Sequence, residues 1–179
     1  MPRPKRLRLD DQLCFALYAA TNAVTRSYRP LLQDIGLTYP QYLVMLTLWQ
    51  NHPLAGKDIA ERLNLSANAI SPLLDRLEES GFVTRERDAV DRRVVHVALT
   101  DRGIALEREA SRAQNAVVCH TELSDGELAH LRDELKALVD RMEPAPGEPS
   151  DEADKRRGRV SRPKTPVITA KRRRKHPVL

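Results

Sequence analysis

A chain of 179 residues, 41% of them hydrophobic, is long enough for one domain with its own core and too short for two independent ones. Its net charge of +5 hides a division: residues 151–179 hold 11 of the 30 Lys and Arg, which leaves residues 1–150 with 19 basic and 22 acidic side chains. The folded part is therefore mildly acidic, and nucleic-acid binding has to come from a local surface or from the tail rather than from overall charge.

No apolar run reaches spanning length and no leader pattern opens the chain, so neither membrane insertion nor secretion is expected and a cytoplasmic location is. Cys14 and Cys119 stand 105 residues apart, without metal-ligand spacing. In a reducing compartment they rest as thiols, and any disulfide is conditional. No metal or organic cofactor is implied.

In chain order, residues 1–8 read as a flexible N-terminus. From Asp10 to about Gln33, Leu13, Leu17, Ala20, Val24 and Leu31 recur near the 3.6 period. This predicts a long amphipathic helix capped by Asp10 or Asp11. Thr38, followed three residues later by Gln41, fits a capping box with Pro40 tolerated in the first turn. The nearly all-apolar helix it opens, through Trp49, belongs in the core.

Lys57 to Leu65 predicts a short helix, and Ser66 to about Ser80 a longer one with Ile70, Leu73, Leu74 and Leu77 on one side, ended by Gly81. Pro72 falls inside it and predicts a bend or a later start. Phe82 to Glu86 and Val94 to Leu99 are rich in β-branched residues, and the polar stretch Arg87 to Arg93 between them is a hairpin tip. Two helices running into a charged hairpin make a winged helix-turn-helix.

Thr100 caps a helix that begins near Asp101, and Ser124 with Glu127 forms another capping box before Leu128, Leu131, Leu135, Leu138 and Met142. The fold class is mainly α with a small β-hairpin wing. The apolar stripe of the terminal helices exceeds what one domain of this size must bury, which predicts a homodimer joined through both chain ends. Residues 9–143 make the domain. Residues 144–179 are expected to be disordered, with Lys171 to Lys175 a basic arm for any polyanion.

This arrangement, with Leu65 to Arg76 and with Asp91-Arg92-Arg93 ahead of Leu99-Thr100, resembles the MarR family of dimeric winged-helix repressors over roughly residues 8–142. Leu13-Cys14-Phe15-Ala16-Leu17-Tyr18, Tyr28 and Tyr39-Pro40-Gln41-Tyr42-Leu43 look like its organic-hydroperoxide-responsive branch, the OhrR type. The resemblance implies Cys14 as the sensor thiol, Tyr28 and Tyr39 as its hydrogen-bonding partners and Tyr18 nearby. Some members of that branch use one cysteine and a small external thiol, and others a second cysteine in this helical region; the position of Cys119 resembles the latter, which implies it as the thiol that resolves oxidised Cys14 into a disulfide between subunits.

A packed small hydrophobe is the ordinary reading of a lone cysteine. The tyrosines argue otherwise: all four of the chain's lie downstream of Cys14, and Tyr28 and Tyr39 fall at the end of the first helix and the mouth of the second. There they can reach the start of a partner subunit's helix, where phenol donors and the positive helix end favour a thiolate. A thiolate attacks a peroxide O–O bond and becomes a sulfenic acid without any cofactor. Phe15, Leu17 and Tyr18 supply an apolar surround suited to organic peroxides, while His120 reads as an exposed helix-end residue.

On the DNA side, Ser66, Asn68 and Ser71 occupy the first turns of the recognition helix, where short polar side chains can reach base edges in the major groove, with simple capping and solvation accounting for at least one of them. Asp91 and Arg93 resemble the family's wing signature, in which the arginine enters the minor groove and the aspartate orients it. Arg87 and Arg92 suit phosphate contacts. The expected function is a repressor that holds a pseudo-palindromic double-stranded operator until a hydroperoxide oxidises Cys14. The alternatives are a MarR-type repressor of a small phenolic or lipophilic ligand, and a thiol peroxidase, for which the chain offers no dedicated reductant site.

Overall fold

The computed structural model describes residues 7–142. The basic arm Lys171 to Lys175 and the disorder expected of residues 144–179 lie outside the described residues, as does most of the flexible N-terminus. The chain divides into two compact units, one ending at Gly126 and the other beginning at Glu127.

The first long helix, α1, spans Leu13–Asp34. Asp10 and Asp11 do not cap it: they belong to a separate 3-10 turn, Leu9–Asp11. Extended Gln12 follows as the N-cap residue, and its side chain turns back to donate to the Arg8 carbonyl at 2.9 Å instead of capping. At the other end, Gly36 adopts φ 75°, and the amides of Gly36 and Leu37 close on the carbonyls of Gln33 and Leu32 at 3.1 and 2.9 Å. This left-handed closure favours a residue without a Cβ, and it buries Leu37 beside Leu32.

Helix α2, Tyr39–Gln50, begins at once. The expected box is present, with Gln41 Oε1 accepting from the Thr38 amide and hydroxyl, each at 2.8 Å. Val44, Met45 and Leu48 are wholly buried, and full burial of side chains of this kind is worth about 1.5–3 kcal/mol each.

Strand β1, Leu54–Ala55, leads into α3, Gly56–Arg62, and then α4, Ala67–Glu79. Helix α4 starts at Ala67 and runs through Pro72, so of the two expected outcomes the late start does not occur. The proline sits one turn inside and forfeits a single bond, to the carbonyl of the exposed Asn68. Gly81, at φ 71°, ends α4 as expected, with the Phe82 amide on the Leu77 carbonyl at 3.0 Å.

Strands β2, Val83–Arg87, and β3, Val95–Leu99, form the hairpin. β1 adds a third antiparallel strand, giving the order β1-β3-β2 with Leu54 and Arg85 on either side of the buried Val97. Beyond the wing the chain forms α5, Asp101–Ala105, and α6, Glu107–His120, two helices where one was expected. The Thr100 hydroxyl caps α5, accepting from the Gly103 amide at 3.0 Å. Helix α6 lies along α1 and buries Ala110, Ala113 and Val117. Helix α7, Asp125–Met142, has no buried residue.

Candidate functional site

The closure at Gly36 and the box at Thr38 reverse the chain between α1 and α2, so that the last turns of α1 face the first turn of α2. Tyr28, Tyr39 and Tyr42 meet there in one aromatic stack, with ring centroids 5.4 Å apart for Tyr28–Tyr39, 5.3 Å for Tyr28–Tyr42 and 6.3 Å for Tyr39–Tyr42. Tyr28 and Tyr42 are buried and Tyr39 is half-buried. Burial pushes all three phenols above their ordinary value, reinforced by Tyr28 in the case of Tyr39 and offset in part by Tyr42 in the case of Tyr28. Each remains a neutral O–H donor at physiological pH.

Cys14 is the second residue of α1 and is exposed. Tyr28 lies fourteen residues further along the same helix, about 21 Å away at about 1.5 Å of rise per residue. The thiol therefore does not meet the stacked phenols of its own chain. Tyr18, one turn on from Cys14, is 66% exposed, and Leu13 beside it is 61% exposed. Cys119, in the last turn of α6, is likewise an exposed free thiol, and His120 next to it is exposed as expected.

The second region is the helix-turn-helix and its wing. Ser66, Asn68 and Ser71 are exposed at the start of α4. Ser66 occupies the N-cap position and its carbonyl accepts from the Ala69 and Ile70 amides, yet its side chain caps nothing, so of the ordinary roles expected for at least one of the three it is solvation that is seen. Their polar atoms remain directed outward. Arg85 of β2 ties the wing to this helix, with Nη1 2.7 Å from Asp75 and Nη2 2.6 Å from Glu78.

At the wing tip, Arg87, Arg92 and Arg93 are exposed, and Asp91 Oδ1 accepts from the Arg93 amide at 3.0 Å and from its Nε at 3.3 Å. The tip is laced further by Asp88. Its Oδ1 accepts from the amides of Val90 and Asp91 at 2.8 and 2.9 Å, and its Oδ2 lies 3.0 Å from His96 Nε2 on β3. The Asp91 amide, then His96, then the Val90 amide hold the Asp88 carboxyl down at about 2.

The sequence reading names the thiols, Tyr28, Tyr39 and the basic wing as site residues and gives no role there to Tyr42, Trp49, Arg85, Asp88 or His96. Two spacings carried a signal: Tyr42 falls one helical turn after Tyr39, and Asp88 stands three residues before Asp91.

A recognition helix presented with free polar side chains, beside a hairpin with a basic tip, defines a winged-helix DNA-binding regulator. Comparison with known proteins narrows this. A profile of the MarR family matches residues 37–95. The HTH-type transcriptional regulator TtmR of Methylorubrum extorquens is 45% identical over 134 residues, which are 75% of this chain and 69% of the relative. The organic hydroperoxide resistance transcriptional regulator of Bacillus subtilis is 35% identical over 136 residues, 76% of this chain and 92% of the relative.

Among solved structures, reduced AbfR bound to DNA superposes with a TM-score of 0.63 at 36% identity, over 75% of this chain and 94% of that one. AbfR, from Staphylococcus epidermidis, also matches in a disulfide-formed state, with a TM-score of 0.56 at 35% identity over 74% of this chain and 93% of that one. The chain belongs to the MarR family of winged-helix transcriptional regulators, and it is a DNA-binding protein. No helix among the described residues is long and apolar enough to cross a membrane.

Proposed function

We propose that the chain works as a homodimeric repressor that occupies a pseudo-palindromic operator while Cys14 is reduced and releases it when an organic hydroperoxide oxidises that thiol. The observation that carries this reading is the separation of thiol and phenols along α1: Tyr28 near its end stacks with Tyr39 and Tyr42 of α2 as three neutral O–H donors, and an exposed cysteine stands at its start. A second copy, packed with its α1 start against the α1–α2 turn, brings its Cys14 onto Tyr28 and Tyr39. The same packing covers Leu9, Leu13 and Tyr18, each more than 60% exposed in the single chain. Helix α7 offers the second copy a further apolar row, Leu131, Leu135 and Val139.

In the proposed reaction the Cys14 thiolate attacks the terminal peroxide oxygen, the O–O bond breaks, and the alkoxide leaves and takes a proton to become the alcohol. The sulfur, oxidised by two electrons, is then a sulfenic acid. The partner's Cys119 attacks that sulfur and expels hydroxide, which leaves as water, so that an intersubunit disulfide forms. Disulfide geometry requires Cα atoms about 4.4–6.8 Å apart. The helix ends that carry the two thiols move to meet this, the winged helices rotate, and the match to half-sites about 34 Å apart is lost. The names of the Bacillus relative and of the reduced and disulfide-formed AbfR structures support a redox signal of this kind.

The cavity of about 200 Å³ between α2 and α6, bordered by Tyr42, Leu46, Trp49 and Glu107, favours a second reading, in which a small phenolic or lipophilic ligand releases the DNA. One experiment separates the two. A duplex is selected from a randomised pool by the reduced protein, and cumene hydroperoxide is added to the complexes of wild type and Cys14→Ser. Release from wild type alone supports the thiol switch; equal release, or none from either, overturns it. Non-reducing electrophoresis of Cys119→Ser then tests the resolving step, because a covalent dimer that persists in this variant rules Cys119 out. Peroxide consumption that stops at one equivalent per thiol marks a regulator rather than a peroxidase.

A further inference from the structure

We propose that Asp88 is a positioning residue for DNA binding: by fastening the wing turn to His96 of the sheet, it sets Asp91, and through Asp91 the guanidinium of Arg93, in the geometry that enters the groove. The proposal rests on the reading of Arg93 as a groove contact and goes beyond it, because Asp88 itself need not touch DNA.

Three observations carry it. Arg93 is 93% exposed, and within the described chain its guanidinium is held by Asp91 alone, at 3.3 Å. A long exposed side chain on an unbraced turn loses rotamer and backbone freedom when it binds, a cost that prior ordering reduces. Asp91 is ordered in its turn from the backbone side, since its amide donates to Asp88 Oδ1 at 2.9 Å and its carbonyl accepts from the Val94 amide at 2.9 Å.

Asp88, finally, is tied at two points, to β3 itself and to the residue just before it. Its amide donates to the Val94 carbonyl at 3.0 Å, and its second carboxylate oxygen meets His96 at 3.0 Å. His96 is in register with Glu86 of β2 on one side and Ala55 of β1 on the other, so the anchor sits on the central strand. The path from sheet to His96, Asp88, Asp91 and Arg93 is therefore a continuous set of hydrogen bonds. Arg87 and Arg92 are not part of it.

The test is a double-mutant cycle on the reduced protein and the duplex it selects from a randomised pool, with the melting transition of each variant recorded. Asp88→Ala is expected to weaken binding about tenfold, the size of one lost groove contact, and to lower the salt slope of log K by about 1. Asp88→Asn, whose amide oxygen still accepts from Val90 and Asp91, is expected to bind within about threefold of wild type. Asp88→Ala combined with Arg93→Ala is expected to bind no worse than Arg93→Ala alone, within about twofold.

Wild-type affinity in Asp88→Ala overturns the proposal, as do penalties that multiply in the double variant. An Arg93→Ala chain that binds as tightly as wild type removes the groove reading and this proposal together. Weak binding by Arg93→Ala with wild-type binding by Asp88→Ala removes this proposal alone.

Discussion

The indole Nε1 of Trp49 donates to the carbonyl oxygen of Gly103 at 2.9 Å, across 54 residues of sequence. Trp49 also meets Tyr42 edge-on at 6.4 Å, and so stands at the end of the phenol stack. On the far side, the Gly103 amide donates to Thr100 Oγ1, whose hydroxyl donates to the Gly81 carbonyl at 2.7 Å, where the recognition helix gives way to the wing. A run of three hydrogen bonds thus links the proposed sensing region to the corner that carries the recognition helix and the wing.

Replacing Trp49 by Phe keeps an aromatic ring near Tyr42 but removes the donor and part of the ring volume, so the expected loss of stability is at least about 1 kcal/mol, read from urea unfolding. The reduced variant is expected to bind its selected duplex as wild type does. Hydroperoxide should still oxidise Cys14, measured by mass spectrometry, but release less DNA at equal oxidation. Release that tracks oxidation as in wild type would show that the signal does not pass through Trp49.

Gly103 supports a second prediction. A Cβ built on it would lie 2.1 Å from the Phe82 carbonyl oxygen, a backbone atom that cannot rotate away. Gly103→Ala must separate α5 from the start of β2 and also strain the Thr100 cap. The expected cost is at least about 1–3 kcal/mol, the range for overpacking a tight core. A urea midpoint unchanged from wild type would contradict it.

Much of this framework was legible in the chain because its signals are local. The Thr38–Gln41 box, the Thr100 cap and Gly81 each act within a turn of backbone, and the apolar spacing of Ile70, Leu74 and Leu77 selects the buried face of α4. The failures are equally physical. Asp10 and Asp11 have the chemistry of caps, but the extended Gln12 separates them from the helix. β1 is two residues long and gains its identity only by pairing with β3. Tyr42, Trp49, Asp88 and His96 owe their placement to contacts between elements, and a one-dimensional pattern does not contain these.

The Asp88 carboxyl gives a pH prediction with a definite sign. Its folded value, about 2, lies below the ordinary 3.8. Because the folded value is the lower one, the stabilisation of the turn is fully present above about pH 4 and is lost as pH falls through about 2. The amide resonances of Val90 and Asp91 are therefore expected to hold steady down to about pH 4 and to shift between about pH 4 and 2. In Asp88→Asn this transition should be absent. A wild-type midpoint near 4 would mean that the hydrogen bonds do not favour the carboxylate.

The arrangement of Cys14 and Tyr28 on one helix, about 21 Å apart, makes the subunit origin of the sensing site testable without any structure of the dimer. Mixed dimers of Cys14→Ser and Tyr28→Phe chains, isolated by two different affinity tags, contain one intact site only if thiol and phenol come from different subunits. The surviving Cys14 of the Tyr28→Phe chain then meets the Tyr28 of its partner. Its rate of sulfenic acid formation is expected to match wild type. On the proposed reading the Tyr28→Phe homodimer lacks a charge-assisted hydrogen bond worth about 1.5–3 kcal/mol and should be slower by about tenfold or more. If the mixed dimer reacts as slowly as that homodimer, Cys14 and Tyr28 do not form a shared site across the interface, and the thiol needs another source of activation.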